Sequence, residues 1–143
     1  KQMSTLNSFG QKLGPLSYVK SLTDVTGFGL FGHLVEMADG SGLSAKISFE
    51  NLPLLPNIEH YLDLNCFPGG TARNLASYGE RLSDAISERQ RYIGADPQTS
   101  GGLLIAIDAA HTAAFEAFAI ENGLTLQAIG EFIERQEKAI YLV

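Results

Sequence analysis

Thr23-Asp-Val-Thr-Gly-Phe-Gly-Leu-Phe-Gly-His-Leu-Val-Glu-Met-Ala38 sets the architecture of this chain, because a polar, glycine-rich turn runs there straight into an apolar helical pattern. Leu30, Leu34, Met37 and Ala38 share one face, and Phe28, Phe31 and Val35 widen it. The spacing predicts a largely buried helix over 27–38. Thr26 or Asp24 is placed to cap its N-terminus, with Gly40 just past its end. A second segment, Asp96-Pro-Gln-Thr-Ser-Gly-Gly102, leads into the continuous apolar run Leu103–Ile107, which reads as a strand central in a sheet. Both segments set an aspartate and hydroxyls beside glycines, which let backbone N–H groups approach a ligand closely. Such turns on rigid elements are where phosphate and metal chemistry tends to sit, so the pair reads as a nucleotide-facing edge.

Outward from these segments, residues 4–20 read as a short helical or irregular lead-in ending near Gly14-Pro15. Gly42–Phe49 alternates through Leu43, Ala45, Ile47 and Phe49, the pattern of a half-buried strand. Pro53 and Pro56 break the chain before a short helical piece around Ile58–Leu64. Phe67–Asn74 reads as an ordered loop and 82–93 as a polar helix carrying Glu88, Arg89 and Arg91. Asp108 is expected to cap a helix over 109–121, with Ala114, Phe115, Phe118 and Ala119 facing the core and Asn122-Gly123 stopping it. Strands about Leu126–Glu131 and Ala139–Val143 close the chain. The order helix, strand, helices, strand, helix, strand, strand predicts a single α+β domain over 1–143, a mixed β-sheet backed by helices.

The 143 residues suffice for one domain with a real core. Hydrophobic residues at 45% and charged residues at 18% argue against disorder. A net charge of −6 without a Lys/Arg cluster argues against a nucleic-acid surface, while a nucleotide can still be held through a metal ion or a helix N-terminus. The longest apolar run, Leu103–Ile107, is far too short for a membrane span, and no signal-peptide pattern opens the chain. Cys66 stands alone, which excludes an internal disulfide and favours a cytoplasmic setting. The first residue is Lys1 and not Met, which reads as a piece of a longer protein.

Asp24 is the leading carboxylate, flanked by Thr23 and Thr26 and followed by Gly27 and Gly29. A hard cation such as Mg2+ takes oxygen ligands, typically a few carboxylates with phosphate oxygens and water. Capping of the 27–38 helix explains the same residue equally well, and the two roles are compatible. Asp96–Gly102 lacks the spacing of a Walker loop or a dinucleotide fingerprint, and its glycines precede a strand. It offers a carboxylate, an amide, two hydroxyls and N–H groups, or it is a tight packing loop. His33, without a second His or Cys at ligand spacing, is expected to make a structural hydrogen bond. Arg73 suits either an anion or a salt bridge.

Together, TDVTGFGLFGHLVEMA (Thr23–Ala38), PGGTARN (Pro68–Asn74) and DPQTSGGLLIAI (Asp96–Ile107) resemble the C-terminal domain of the selenophosphate synthetase, or selenide, water dikinase, family. The lead-in with Met3 and Leu6-Asn7 extends the likeness over nearly the whole chain. That family belongs to a wider superfamily with aminoimidazole ribonucleotide synthetase. Phe31, where Leu is more usual, is the one departure noted.

The resemblance implies an enzyme that makes selenophosphate, orthophosphate and AMP from ATP, selenide and water, with Mg2+ required. It implies an N-terminal domain, absent here, that carries the nucleophile, an essential lysine and further metal ligands and forms a homodimer. No catalytic residue is therefore expected in this chain, and on its own it should be inactive. Asp24 matches the C-terminal-domain Mg2+ ligand, and Thr26, Gly27 and Gly29 match a turn whose N–H groups face the ATP phosphates. Gly69, Gly70, Thr71, Asn74, Asp96, Gln98, Thr99, Ser100, Gly101 and Gly102 match positions along the same edge, on its substrate side. Cys66 matches no nucleophile loop and reads as a buried or incidental thiol. Two other readings stand beside this one: a purine-pathway synthetase acting on an amide-bearing ribonucleotide, and a binding or regulatory homologue that has lost the reaction.

Overall fold

A single helix organises the core. In the computed structural model, which describes residues 4–143, α1 spans Gly29–Ser41 and buries Phe31, His33, Leu34, Val35 and Ala38. A helix so apolar on most sides must be covered on most sides. It packs on the strands β2 (Leu43–Ile47) and β5 (Ile140–Leu142) and on the helices α3 (Gly69–Tyr78) and α4 (Glu88–Gly94). It stops because Gly42 turns into the left-handed region at φ 68° and returns its N–H to Ala38 and Asp39. Gly40, expected to mark the end, lies inside the last turn.

The fold is α+β with two separate sheets. β2 is the centre of a mixed three-stranded sheet, antiparallel to β4 (Gly130–Glu134) and parallel to β5. The second sheet pairs β1 (Val19–Asp24) with β3 (Leu103–Ile107) in antiparallel register, Asp24 opposite Leu103. The short α2 (Ile58–Asp63) is tied to α4 by Arg89, which reaches both Glu59 and Asp63. α5 (Thr112–Glu121) follows a 3-10 turn that Asp108 caps through Ala110 N at 3.0 Å. No helix among the described residues is long and apolar enough to cross a membrane.

Several expectations are corrected. β1 is not among the expected strands: it starts in what reads as lead-in and ends in what reads as the glycine-rich turn, because Lys20, Ser21 and Leu22 are exposed and leave no alternation to detect. β3 is paired only on one edge among the described residues; its other flank borders an apolar cavity of about 510 Å³ against residues 126–132, and only Leu104 is buried. Phe67–Asn74 is not a loop, since α3 begins at Gly69 after extended Pro68. The 82–93 helix is confined to 88–94, its start fixed by a reciprocal capping box between Ser87 and Gln90. Of the α5 residues expected in the core, Phe115 and Ala119 are buried, Phe118 half so, and Ala114 is exposed. Cys66 is exposed. Met3 lies outside the described residues.

Candidate functional site

The two glycine-rich segments are partners in one ladder. Beyond the Asp24–Leu103 pair, Val25 donates its N–H to Gly102 O at 2.9 Å and accepts one from Gly101 N at 3.2 Å. One step on, Gln98 N donates to Thr26 O at 3.0 Å. Gly101 is required by this approach: a Cβ there would lie 2.6 Å from Val25 O. Gly29, at φ +70°, sits so close to the 94–96 backbone that a Cβ would meet Ala95 C at 2.8 Å. The β1–α1 turn and the loop before β3 therefore form one surface.

The N-terminus of α3 locks that surface from the third side. Buried Asn74 donates from Nδ2 to Gly27 O at 2.8 Å and to Ala95 O at 2.9 Å, bridging the two segments. Gly70 is in van der Waals range of Pro97, where a Cβ would meet Cγ at 2.5 Å. One helical turn after Asn74, Tyr78 donates its hydroxyl to Phe28 O at 2.6 Å, and burial pushes that phenol far up in pKa. Thr71 is buried beside Asp96, with its hydroxyl facing that carboxyl.

The polar groups divide into those that hold the edge and those that remain open. Thr26 spends its N–H on His33 Nε2 at 3.1 Å, and Gly29 spends its own on Thr26 O at 3.0 Å. Neither Thr26 nor Asp24 caps α1 through its side chain. The N–H groups of Gly27, Thr99 and Ser100 have no acceptor among the described residues. Those of Gly69 and Gly70 open α3, where a helix has no internal acceptor for them. Gln98 Nε2 donates to Asp96 Oδ2 at 2.8 Å, yet burial still holds the Asp96 carboxyl above the usual range. Arg73 is exposed and makes no ion pair among the described residues.

Asp24 stands at the rim, exposed, with no side-chain partner among the described residues. A free carboxylate next to open N–H groups fits a contribution to a hard cation held with phosphate oxygens. No group of three or more His, Cys, Asp or Glu converges among the described residues, so this chain fits one ligand of such a site and not the whole set. The structure thus brings the sequence-predicted residues together on one edge. Tyr78 and Ala95, which the motifs did not single out, hold the others, together with Pro97 of the Asp96–Gly102 segment and His33, which makes the structural hydrogen bond expected of it.

A family model described as AIR synthase related protein, C-terminal domain, matches residues 4–143. Among curated proteins, the chain is 51% identical to the selenide, water dikinase of Pseudomonas putida over 141 residues, covering 99% of this chain and 41% of the relative. It is 53% identical over 138 residues to that of Bordetella bronchiseptica, covering 96% and 40%, and 52% identical over 141 residues to that of Pseudomonas aeruginosa, covering 99% and 41%. The chain spans about 40% of the length of these relatives. The match over essentially all of the described residues places this chain in the family of AIR synthase related C-terminal domains.

Proposed function

We propose that this chain is the C-terminal domain of a selenide, water dikinase and forms one wall of an interdomain Mg-ATP site. The observation that carries the reading is the meeting of the TDVTGFG, PGGT and DPQTSGG segments on one edge, with Asp24 free beside them. Relatives of that printed name at 51–53% identity support it. In the whole enzyme, ATP, selenide and water would give selenophosphate, AMP and orthophosphate. The nucleophile and the remaining metal ligands would come from the N-terminal domain of the parent, a cytoplasmic homodimer, and the isolated chain would be inactive.

Phosphoryl transfer depends on positioning and on neutralising charge more than on covalent help from the protein. Asp24 would be the ligand this chain gives to Mg2+, which when bound neutralises phosphate charge. Gly27, Thr99, Ser100, Gly69 and Gly70 would direct N–H groups toward anionic oxygens. Thr26, Gly29, Gly101 and Asn74 would hold that array in place, and Thr71, Asp96, Gln98 and Gly102 would line its substrate side. The runner-up, a purine-pathway synthetase, shares the superfamily but acts on an amide-bearing ribonucleotide.

Chromatographic measurement of nucleotide products from the full-length parent tests the choice. AMP formed from Mg-ATP only when selenide is added is the expected result. ADP formed in response to an amide-bearing ribonucleotide, with selenide inert, would overturn the reading in favour of the sibling enzyme.

A further inference from the structure

The N-terminus of α1 lacks any side-chain cap, although Asp24 and Thr26 precede it. His33, seven residues after Thr26 and one turn into the helix, reaches back instead. Its Nε2 accepts the Thr26 N–H at 3.1 Å and lies 3.2 Å from Thr26 Oγ1, while Nδ1 lies 3.1 Å from Glu36 Oε2. A backbone N–H can only donate, so Nε2 must be the unprotonated nitrogen, and Nδ1–H donates to the carboxylate. The ring is buried, with Phe28 edge-on at 6.0 Å between centroids, while Glu36 is exposed. Thr26 O, the other pole of the same peptide turn, receives both Gly29 N and Gln98 N. Among the described residues, the turn is therefore held at its Thr26 N–H by His33 and at its Thr26 carbonyl by Gly29 and Gln98.

We infer that His33 is a positioning residue for the nucleotide edge, its bare Nε2 fixing the Thr26–Gly27 turn so that the open Gly27 N–H and the Asp24 carboxylate point to one ligand. This inference rests on the Mg-ATP reading above. Two near-isosteres separate the ring's functions. A glutamine amide oxygen can take the place of Nε2 and still accept from Thr26. An asparagine amide can take the place of Nδ1 and still reach Glu36, but leaves the Thr26 N–H without an acceptor.

The test uses the full-length parent as wild type, His33→Gln and His33→Asn. Mg-ATP affinity is read by calorimetry, fold by thermal melting, and the wild-type tautomer by ¹⁵N-histidine NMR. The expected result is a protonated Nδ1 and a bare Nε2 in the wild type. His33→Asn should then weaken Mg-ATP binding about tenfold, equivalent to about 1.4 kcal/mol. His33→Gln should recover most of that loss at a similar melting temperature. Equal affinities in the two folded variants, or a protonated Nε2, would overturn the role of His33. Wild-type protein that binds no Mg-ATP would instead overturn the nucleotide reading, and the positioning role with it, whatever the tautomer.

Discussion

Replacing Asn74 with alanine should unlatch the edge without touching any group proposed to meet a ligand. The native amide makes two hydrogen bonds, to Gly27 O at 2.8 Å and Ala95 O at 2.9 Å, from a side chain buried between α1 and α4. Each bond is worth about 1 kcal/mol net, and the buried Ala95 carbonyl left without a donor adds to that. The sum is about 2–4 kcal/mol, which for a chain of this length lowers the melting temperature by on the order of 10 °C. Asn74→Asp should be worse, because it turns a carboxylate oxygen toward two carbonyl oxygens. Urea unfolding of the 143-residue chain measures this directly, with the midpoint falling at unchanged slope. A loss below about 0.5 kcal/mol in Asn74→Ala, the range of an ordinary surface substitution, would refute the clamp.

Two further outcomes follow from the same geometry. Gly94→Ala places a Cβ inside the ring of fully buried Phe31, so urea unfolding should register a loss of about 1–3 kcal/mol or failure to fold, and a neutral result would refute that packing. Burial raises the folded-state pKa of Asp96 above its ordinary 3.8, so the folded state binds that proton more tightly and its stabilising effect is lost as pH rises from that value through the folded one. Asp96→Asn should therefore gain stability over wild type at about pH 7 and match it at about pH 3 by denaturant titration. The reverse order would contradict a desolvated carboxylate.

What the sequence discloses follows how each element is held. α1, β3 and α5 are legible because runs such as Leu30–Ala38 and Leu103–Ile107 carry the apolar pattern of their own element. β1 is silent because its partner β3 supplies the ladder while Lys20, Ser21 and Leu22 are all exposed. Gly69-Gly70 opposes a helix locally, yet α3 forms there because Asn74 and Tyr78 anchor it to Gly27, Ala95 and Phe28. The start of α4 was readable from Ser87-Glu-Arg-Gln90, which spells a capping box. At the candidate site, the motif segments meet on one edge, and pairing across the chain assigns the parts. Thr26 and Gly29 read as N–H donors to a ligand, and the fold spends those groups internally.

The central claim is most directly tested by ³¹P NMR of the full-length parent, wild type and Asp24→Asn, incubated anaerobically with Mg-ATP and selenide. The wild type should give selenophosphate, AMP and orthophosphate, and the folded variant should give little or none of them. A wild-type spectrum with ATP untouched, or an Asp24→Asn protein turning over at the wild-type rate, would contradict the account.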